Sequence, residues 1–440
     1  MSENRTRLVL RESAIGLVYR LGAVFASFIM MPVMLRQLGA PTLGVWLVLL
    51  SVFQWITFFD LGVASGARNE IARAVAEGNT PKARSAITTG WYYTWLITFC
   101  LGSIIALILG VLPVTEWLKT RVFGGINPGP ALWVVSLGAC FSFALNYIQI
   151  VFAAHQKASV QSSFSLLSNF LFLGFIYFFP NKNPDGLLRM SLLYLAAMLI
   201  ASSWLIVRFF SKRQNLLPSP KWIDSTLRKR ILGFGLRLFI IQLAAMIIFT
   251  TARLMVSLFV NPAEVVIYDA AFKVFSLVMM VHGLLMTTLW SSFTHAYTQQ
   301  DWPWIHRTLR RLILLMVPVI LGCTVLAVIS PRLIGWWLGS KQVGGSMLYF
   351  LFAVMVVLSC WSNIFSYFLN GIGKIHLQFY SAIIAAAINL PLSYLFAVSF
   401  GLGISGVVFG TIASSTIFSV LGPWYVLTYL RKIHFNDTAR

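Results

Sequence analysis

The chain has 440 residues, of which 58% are hydrophobic and only 10% are charged, and its mean hydropathy is +0.82. A water-soluble protein of this length could not cover so much apolar surface, so the composition excludes a soluble domain and predicts an all-α polytopic membrane protein. The net charge of +21 raises nucleic-acid binding as an alternative. The basic residues, however, lie in short loops that belong to no nucleic-acid-binding domain.

About twelve apolar segments follow one another along the chain, each near the ~20 residues that cross a bilayer. Their predicted bounds are 14–37, 43–67, 86–111, 131–154, 160–180, 187–210, 233–259, 264–290, 308–330, 345–369, 376–399 and 404–430. The longest polar loop separates the first six segments from the last six, and it contains two prolines and a basic end. We therefore predict two six-helix lobes around a central cavity, with the bounds 1–210 for the N-terminal lobe, 211–232 for a basic cytoplasmic linker and 233–440 for the C-terminal lobe.

Lysine and arginine are distributed unevenly between alternate loops. With both termini in the cytoplasm, 22 of the 33 fall in inner segments, seven in outer segments and four within apolar spans. This asymmetry is the one that the positive-inside rule describes. The basic surplus is therefore assigned to topology and to contact with inner-leaflet lipids, and no nucleic-acid partner is expected.

The two halves show a weak internal repeat. A shift of about 220 residues brings the Gly39–Pro41 turn near Asn261, and it brings the amphipathic segment 68–84 near 296–311. Six spans followed by six spans around a basic linker are typical of a transporter built from two repeats.

Several ionisable residues lie within or beside the apolar spans, where each costs ~2.5–3.5 kcal/mol on insertion scales. Asp269 and Lys273 stand four residues apart on one helix and could simply neutralise each other. Arg253 is expected at a similar depth on the preceding span, which leaves the group with a net charge of +1. The functional interpretation is a cationic cavity between the lobes for a phosphate- or pyrophosphate-bearing substrate. The residues assigned to this cavity are Arg253, Lys273, Arg20 and Arg237.

Purely structural explanations remain open for most of these residues. Arg20 and Arg237 lie close enough to the inner surface to reach the headgroups by snorkelling. Asp60 could pair with Arg20 or with Arg68 as a switch that closes a lobe, or it could bind a coupling cation. His282, near the membrane centre, could carry a coupling proton or could be a neutral side chain that hydrogen-bonds to a neighbouring helix.

Signals for catalysis and for metal binding are missing from the sequence. It contains no Walker A, HExxH or GxSxG motif, and its twelve acidic residues are mostly isolated in loops. The four cysteines lie in apolar runs without CxxC spacing, and the six histidines are scattered. We therefore expect a protein that is not an enzyme, that holds no cofactor or metal, and that draws energy from H+ or Na+ coupling, the membrane potential or the substrate's own gradient.

One region of the first half carries a family resemblance. It runs from Leu35 to Arg84 and contains Leu38-Gly39, Gly44-Val45-Trp46 and Asp60-Leu61-Gly62-Val63-Ala64. The segment resembles the first-to-third-helix region of Wzx-type O-antigen and polysaccharide flippases of the multidrug/oligosaccharidyl-lipid/polysaccharide (MOP) exporter superfamily. Asn370-Gly371-Ile372-Gly373-Lys374 is similar to an inner turn of the same family.

The resemblance implies a twelve-helix transporter of the bacterial inner membrane with both termini cytoplasmic. Its substrate would be an undecaprenyl-pyrophosphate-linked oligosaccharide, an O-antigen or exopolysaccharide repeat unit that crosses to the outer leaflet by alternating access. Membrane lipids, a polysaccharide polymerase and chain-length proteins are the further partners that it suggests. Two alternatives stay open: a cation-coupled multidrug exporter of the same superfamily, and a membrane-embedded polysaccharide polymerase or glycosyltransferase.

Overall fold

The computed structural model of the protein describes residues 2–58, 63–155, 157, 159–180, 186–227, 250–339, 344–374 and 376–438. All regular elements within these ranges are helices. Ten of the helices are long and apolar enough to cross a membrane. The described chain divides into two compact units, Met1–Leu243 (unit 1) and Ala244–Arg440 (unit 2).

The described residues of unit 1 form seven α-helices. They are α1 (Ser2–Phe58), α2 (Val63–Ala76), α3 (Thr80–Val111), α4 (Val114–Trp117), α5 (Gly129–Ala154), α6 (Ser159–Phe178) and α7 (Gly186–Phe210). Helix α1 is interrupted at Gly39, whose φ of +72° and ψ of 163° are not helical, and Pro41 stands two residues later. Since glycine adopts positive φ without a steric penalty, this break separates the first two predicted spans inside one continuous stretch.

Unit 2 contains six α-helices. They are α8 (Ala252–Phe259), α9 (Pro262–Thr298), α10 (Trp302–Leu338), α11 (Ser346–Gly371), α12 (His376–Tyr394) and α13 (Gly403–Thr438). The predicted span 233–259 lies for the most part outside the described residues, and α1 contains two predicted spans. These two facts account for ten candidate helices where twelve spans were predicted.

The core of unit 1 forms where α2, α3, α5 and α7 meet. Ile71, Ile87, Ile148, Leu205 and Phe209 are fully buried there. Helix α1 packs on α6, and α5 packs on α7. The helical residues that remain exposed on these elements are largely apolar, as expected for surfaces that face lipid.

The described part of the predicted linker, residues 211–227, packs against unit 1. Arg84 on α3 donates from Nε to the carbonyl oxygen of Leu217 over 2.8 Å, and its guanidinium lies 5.1 Å from the ring centre of Trp222. The backbone N–H of Asp224 donates to Thr89 Oγ1 over 2.9 Å. Two short 3₁₀ turns, Gln214–Leu216 and Pro220–Trp222, shape this segment. It is therefore a docked segment, which we name the α3 strap (211–227).

In unit 2, α9 and α10 each pack on α11, and α12 packs on α13. Helix α12 continues into a π-helical turn, Leu395–Ser399, and this segment lies very close to α13. A Cβ added at Gly406 would lie 2.4 Å from the backbone nitrogen of Ala397 in that turn. At Gly410 the corresponding distance to the backbone nitrogen of Ser393 is 2.6 Å. Small residues at such a crossing allow two backbones to approach, which is how membrane helices commonly associate.

A turn with a defined set of hydrogen bonds joins α2 to α3 in unit 1. Gly78 has a φ of +67° and follows the end of α2. Asn79 then caps α3, since its side-chain oxygen accepts from the backbone N–H of Lys82 over 3.0 Å. Pro81 occupies the first turn of the helix, where no N–H donor is needed. The predicted amphipathic segment 68–84 is thus a helix end, a turn and a helix start.

The same turn recurs between α9 and α10 in unit 2. Gln300 has a φ of +56°, and Asp301 Oδ1 accepts from the backbone N–H of Trp304 over 3.0 Å. Each residue stands 222 positions after its counterpart, and Pro303 corresponds to Pro81. The backbone bond from Asn79 N to Ala74 O also has its counterpart from Asp301 N to Ala296 O. Local geometry therefore supports the internal repeat at the position where sequence identity is weak.

Helix α10 presents one long apolar face to its surroundings. Its exposed residues recur at helical spacing and include Leu314, Val317, Leu321, Val325 and Val328. The exposed arginines Arg311 and Arg332 bound this face at its two ends. Such a stripe is typical of a helix that borders lipid.

Candidate functional site

Two of the cationic residues predicted in the second half, Arg253 and Lys273, come together where α8 meets α9. The turn between the two helices is short, and Asn261 closes it by accepting from the backbone N–H of Glu264 over 3.0 Å. Pro262 takes the first position of α9. This connection sets Arg253 on α8 beside Asp269, which lies two turns into α9.

Arg253 and Asp269 form a direct ion pair. Arg253 Nε donates to Asp269 Oδ1 over 2.7 Å, and Nη2 lies 2.6 Å from the same oxygen. Lys273 Nζ lies 3.9 Å from Asp269 Oδ2, one helical turn further along α9. The second contact is at the limit of an ion pair and beyond hydrogen-bonding distance. One carboxylate therefore stands between two cations, and it is held tightly by only one of them.

Burial differs across this cluster, which we name the α8–α9 charge cluster (Arg253, Asp269 and Lys273). The Asp269 side chain is fully buried, whereas the side chains of Arg253 and Lys273 keep 17% and 21% of their surface exposed. A carboxylate without access to water requires compensation, and the adjacent arginine supplies it. The formal charges of the three groups sum to +1, and the positive groups are those that reach the exterior of unit 2.

The other predicted cations do not join this cluster within the described residues. Arg20 lies on α1, and its Nε donates to Ser162 Oγ of α6 over 3.2 Å. Its side chain is exposed. Arg68 is exposed on α2, while Asp60 and Arg237 lie outside the described residues. The roles predicted for these four residues stay predictions.

His282 is buried on α9, with 3% of its surface exposed. Within the described part of the chain, neither Nδ1 nor Nε2 of its ring has a hydrogen-bond partner. Phe275 and Phe293 of α9 contact the rings of Phe352 and Phe368 of α11, respectively. The two helices therefore run in the same direction, and His282 lies on α9 between the two ring contacts. The hydrogen bond to a neighbouring helix that the sequence suggested is not found among these residues.

Of two further polar contacts between helices, the one between Arg20 and Ser162 would have been hard to foresee from the sequence. Ser162 as the partner of Arg20 is one of several serines on α6, and Ser159, Ser162 and Ser168 are all buried there. On α12, Asn389 is fully buried and donates from Nδ2 to Ser414 Oγ over 3.0 Å. A stripe of serines at helical spacing is the signal that could have indicated a polar helix contact.

No group of three or more His, Cys, Asp or Glu side chains that could hold a metal occurs within the described ranges. The four cysteines are free thiols, and three of them are buried. The candidate site is thus an arrangement of fixed charges in a membrane helix pair, and it can attract and orient an anionic group.

Relatives were found by sequence comparison over nearly the full chain. The protein is 22% identical over 410 residues to the "Putative O-antigen transporter" of Salmonella typhimurium, a match that covers 91% of each chain. It is 22% identical over 437 residues to the "Putative O-antigen export protein" of Yersinia pseudotuberculosis, with 96% of this chain and 95% of that protein covered. No family model matches the chain.

Solved structures of transporters share the fold. An inward-facing conformation of a multidrug resistance MATE family transporter of the MOP superfamily matches with a TM-score of 0.79 and 14% identity, covering 96% of this chain and 99% of that one. An outward-facing conformation of such a transporter matches with a TM-score of 0.66 and 15% identity, over 97% and 96% of the two chains. These comparisons confirm the resemblance to O-antigen exporters, and the solved structures show that the chain shares its fold with MATE family transporters. They also confirm the predicted fold class, an all-α polytopic membrane protein.

Proposed function

We propose that the protein is a flippase that moves a polyprenyl-pyrophosphate-linked oligosaccharide, an O-antigen or exopolysaccharide repeat unit on undecaprenyl pyrophosphate, from the inner to the outer leaflet. The observation that carries this proposal is the α8–α9 charge cluster, in which Arg253 and Lys273 share one buried carboxylate inside a membrane helix pair. The names of both relatives, which describe O-antigen transport and export, support the same substrate class.

The physical task of a flippase is to lower the cost of moving a polar headgroup through hydrocarbon. A glycan and two phosphates lose their hydration on the way, and this loss is the main barrier. Fixed cations at membrane depth replace part of the lost hydration with charge-assisted hydrogen bonds. Lys273, at 3.9 Å from Asp269, and Arg253 would hold the pyrophosphate, and Arg20 on α1 and Arg237 are further candidates for the same role.

The rest of the proposal follows from this transport role. The protein would work in the bacterial inner membrane with both termini in the cytoplasm, and it would not act as an enzyme. Alternating access would be driven by the substrate gradient or by H+ or Na+ coupling, for which Asp60 and His282 are candidates. A polysaccharide polymerase and chain-length proteins would act on the exported unit.

The test is glycan export in cells that lack the protein and carry variants in its place. We expect Lys273→Gln to lower surface glycan on the order of tenfold or more, because hydrogen bonds to charged groups contribute ~1.5–3 kcal/mol. Lys273→Arg should restore export, since it returns the charge. The same variants in vesicles should show a matching loss in the outer-leaflet accessibility of lipid-linked sugar.

Arg253 needs a double variant, because its removal alone leaves the buried Asp269 carboxylate without its close partner. Arg253→Gln combined with Asp269→Asn removes both charges and should reduce export while the protein still inserts. Arg332→Gln, an exposed arginine on α10 of the same unit, serves as the control and should leave export unchanged. Full export in Lys273→Gln and in the double variant, at wild-type protein levels, would remove the proposed site.

The fold similarity supports a second candidate, a cation-coupled multidrug exporter of the same superfamily. The solved structures that match the chain include a multidrug resistance MATE family transporter. A pair of cations around one carboxylate fits an anionic substrate better than a cationic drug. Cells that lack the protein distinguish the two functions: loss of surface glycan supports the flippase, and drug sensitivity with intact glycan supports the exporter.

A further inference from the structure

A second candidate binding site lies in unit 1, far along the chain from the α8–α9 charge cluster. A pocket of about 370 Å³ opens between α3, α7 and the α3 strap. This volume is within the range of about 300–1,000 Å³ that is usual for small-molecule sites. Its lining is almost entirely apolar and includes Trp91, Tyr92, Trp95, Phe210, Pro218 and Ile223.

The strap creates this pocket, because it lies across aromatic residues of α3 that would otherwise face lipid. Trp91 is already fixed by stacking on Phe210, with ring centres 5.8 Å apart, whereas Tyr92 and Trp95 remain exposed. These residues lie in the first half of α3, at the end of the helix that the basic loops flank. Aromatic residues at this level of a membrane protein meet the boundary between headgroups and acyl chains.

Basic residues lie on the segments that form the pocket. Residues 204–227 contain four cations and a single acid, Asp224, whose Oδ1 accepts hydrogen bonds from the backbone N–H and the hydroxyl of Thr226. Arg84 adds a fifth cation, and its Nε bonds to the carbonyl of Leu217, a lining residue. Lys221 adjoins Pro220, another lining residue, and we name Arg84 and Lys221 the basic rim.

An aromatic ring holds Arg84 in place, because its guanidinium lies 5.1 Å from the ring centre of Trp222. Arg208 and Arg213 lie over Trp204 and Phe209, which do not line the pocket. Lys212 and Lys221 have exposed side chains. Stacked guanidinium groups keep their outward donors available for a phosphate.

We propose that this pocket binds one anionic phospholipid of the inner leaflet, with an acyl chain among the aromatic residues and the phosphate on the basic rim. The charge complementarity carries the choice of ligand, because Arg84 bonds to the lining residue Leu217 and Lys221 adjoins the lining residue Pro220. Basic pockets at the cytoplasmic side of membrane helices bind anionic headgroups in this way. The proposal does not depend on the transported substrate.

The experiment uses the full chain in nanodiscs of phosphatidylcholine that contain phosphatidylglycerol with a diazirine on one acyl chain. After photolysis, peptides from 88–95 of α3 and 217–223 of the strap should carry the label. Unlabelled phosphatidylglycerol should compete, and added phosphatidylcholine should not. Lys221→Gln should lower the preference for phosphatidylglycerol about fivefold, since a surface cation contributes on the order of 1 kcal/mol towards anionic lipid.

A pocket-filling variant separates this site from general lipid contact. Ser219 lines the pocket and is half-exposed, so Ser219→Trp should fill the space and abolish labelling of both peptides. Ser225→Trp, on the same strap but exposed and outside the lining, is the matched control and should label normally. Circular dichroism of both variants checks that the helices are retained.

Three results would overturn the proposal. Label outside α3 and the strap would place the lipid elsewhere, and equal labelling by phosphatidylcholine and phosphatidylglycerol probes would remove the anionic preference. Competition by a polyprenyl phosphate but not by phosphatidylglycerol would assign the pocket to the isoprenoid chain of a substrate. Because these readouts measure binding alone, a failed export assay for the charge cluster leaves this test intact.

Discussion

Arg253 holds Asp269 through two nitrogens directed at the same oxygen, at 2.7 and 2.6 Å, while the Asp269 side chain has no exposed surface. The pair joins α8 to α9 across the Asn261 turn. A carboxylate buried to this extent is stable in its charged form only beside a close cation. The contact is therefore a structural requirement of unit 2, whatever the site binds.

The first prediction follows from this dependence. Arg253→Gln should destabilise the protein by about 3–5 kcal/mol, because it leaves an uncompensated buried charge. The double variant Arg253→Gln with Asp269→Asn should recover most of that loss, since no charge remains to be compensated. Thermal unfolding in detergent, followed by circular dichroism, measures both effects. If the two variants unfold at the same temperature, the pair does not stabilise the fold.

The second prediction concerns the turn between α9 and α10. Gln300 has a φ of +56°, a conformation that costs a non-glycine residue ~1–2 kcal/mol, whereas its counterpart in unit 1 is Gly78. Gln300→Gly should therefore raise the unfolding temperature. Gln299→Gly is the adjacent control, and it should lower stability or leave it unchanged because Gln299 has a helical φ of −86°. A fall in stability for Gln300→Gly would contradict the repeat of the turn.

The third prediction tests the close approach of α12 and α13. Gly406→Ala would place a Cβ 2.4 Å from the backbone nitrogen of Ala397, so the helices would have to separate. Such overpacking costs ~1–3 kcal/mol. Gly322→Ala on α10 meets nothing within 4 Å and should be neutral or slightly stabilising. Equal unfolding temperatures for the two alanine variants would argue against so close a crossing of α12 and α13.

The fourth prediction is a pH dependence at the turn after α5. Burial lowers the pKa of His155 below its ordinary value of 6.5, and the nearby charges of Arg213 and Lys157 lower it further, while the bond of Nδ1 to the Val151 carbonyl raises it in part. The unfolded chain therefore binds a proton at a higher pH than the folded one. Stability should fall as the pH drops below 6.5 and should level off below the folded pKa.

The measurement compares unfolding temperatures of the wild type and His155→Gln across this pH window. The glutamine retains a hydrogen-bond donor but does not titrate, so its curve should be flatter at the acidic end. His306→Gln, an exposed histidine on α10, is the control and should follow the wild type. A wild-type curve parallel to that of His155→Gln would remove the assignment to this histidine.

The sequence predicted the helical class and most helix positions because apolar spans of membrane length leave few alternatives. It also predicted that Arg253, Asp269 and Lys273 lie at a similar depth, since the turn at Asn261 is too short to separate them. It did not predict that Arg253 would be the closer partner of Asp269: helical spacing favoured Lys273, and only the packing of α8 on α9 reverses that order. The sequence also did not predict that the strap docks on α3, because this contact joins Arg84 to residues more than 130 positions away.

Arg311 and Arg332 lie at the two ends of the lipid-facing side of α10, and the distance between them has a consequence for the host membrane. Twenty residues separate Arg311 from Arg332, and at 1.5 Å per residue they span about 30 Å, the hydrocarbon thickness of an average bilayer. Neither charge can enter the acyl region without a large penalty, so hydrophobic mismatch must be relieved by tilting of the helix or deformation of the lipid. Bilayers of this thickness should therefore preserve the native state best, and reconstitution in markedly thinner or thicker lipids should strain it.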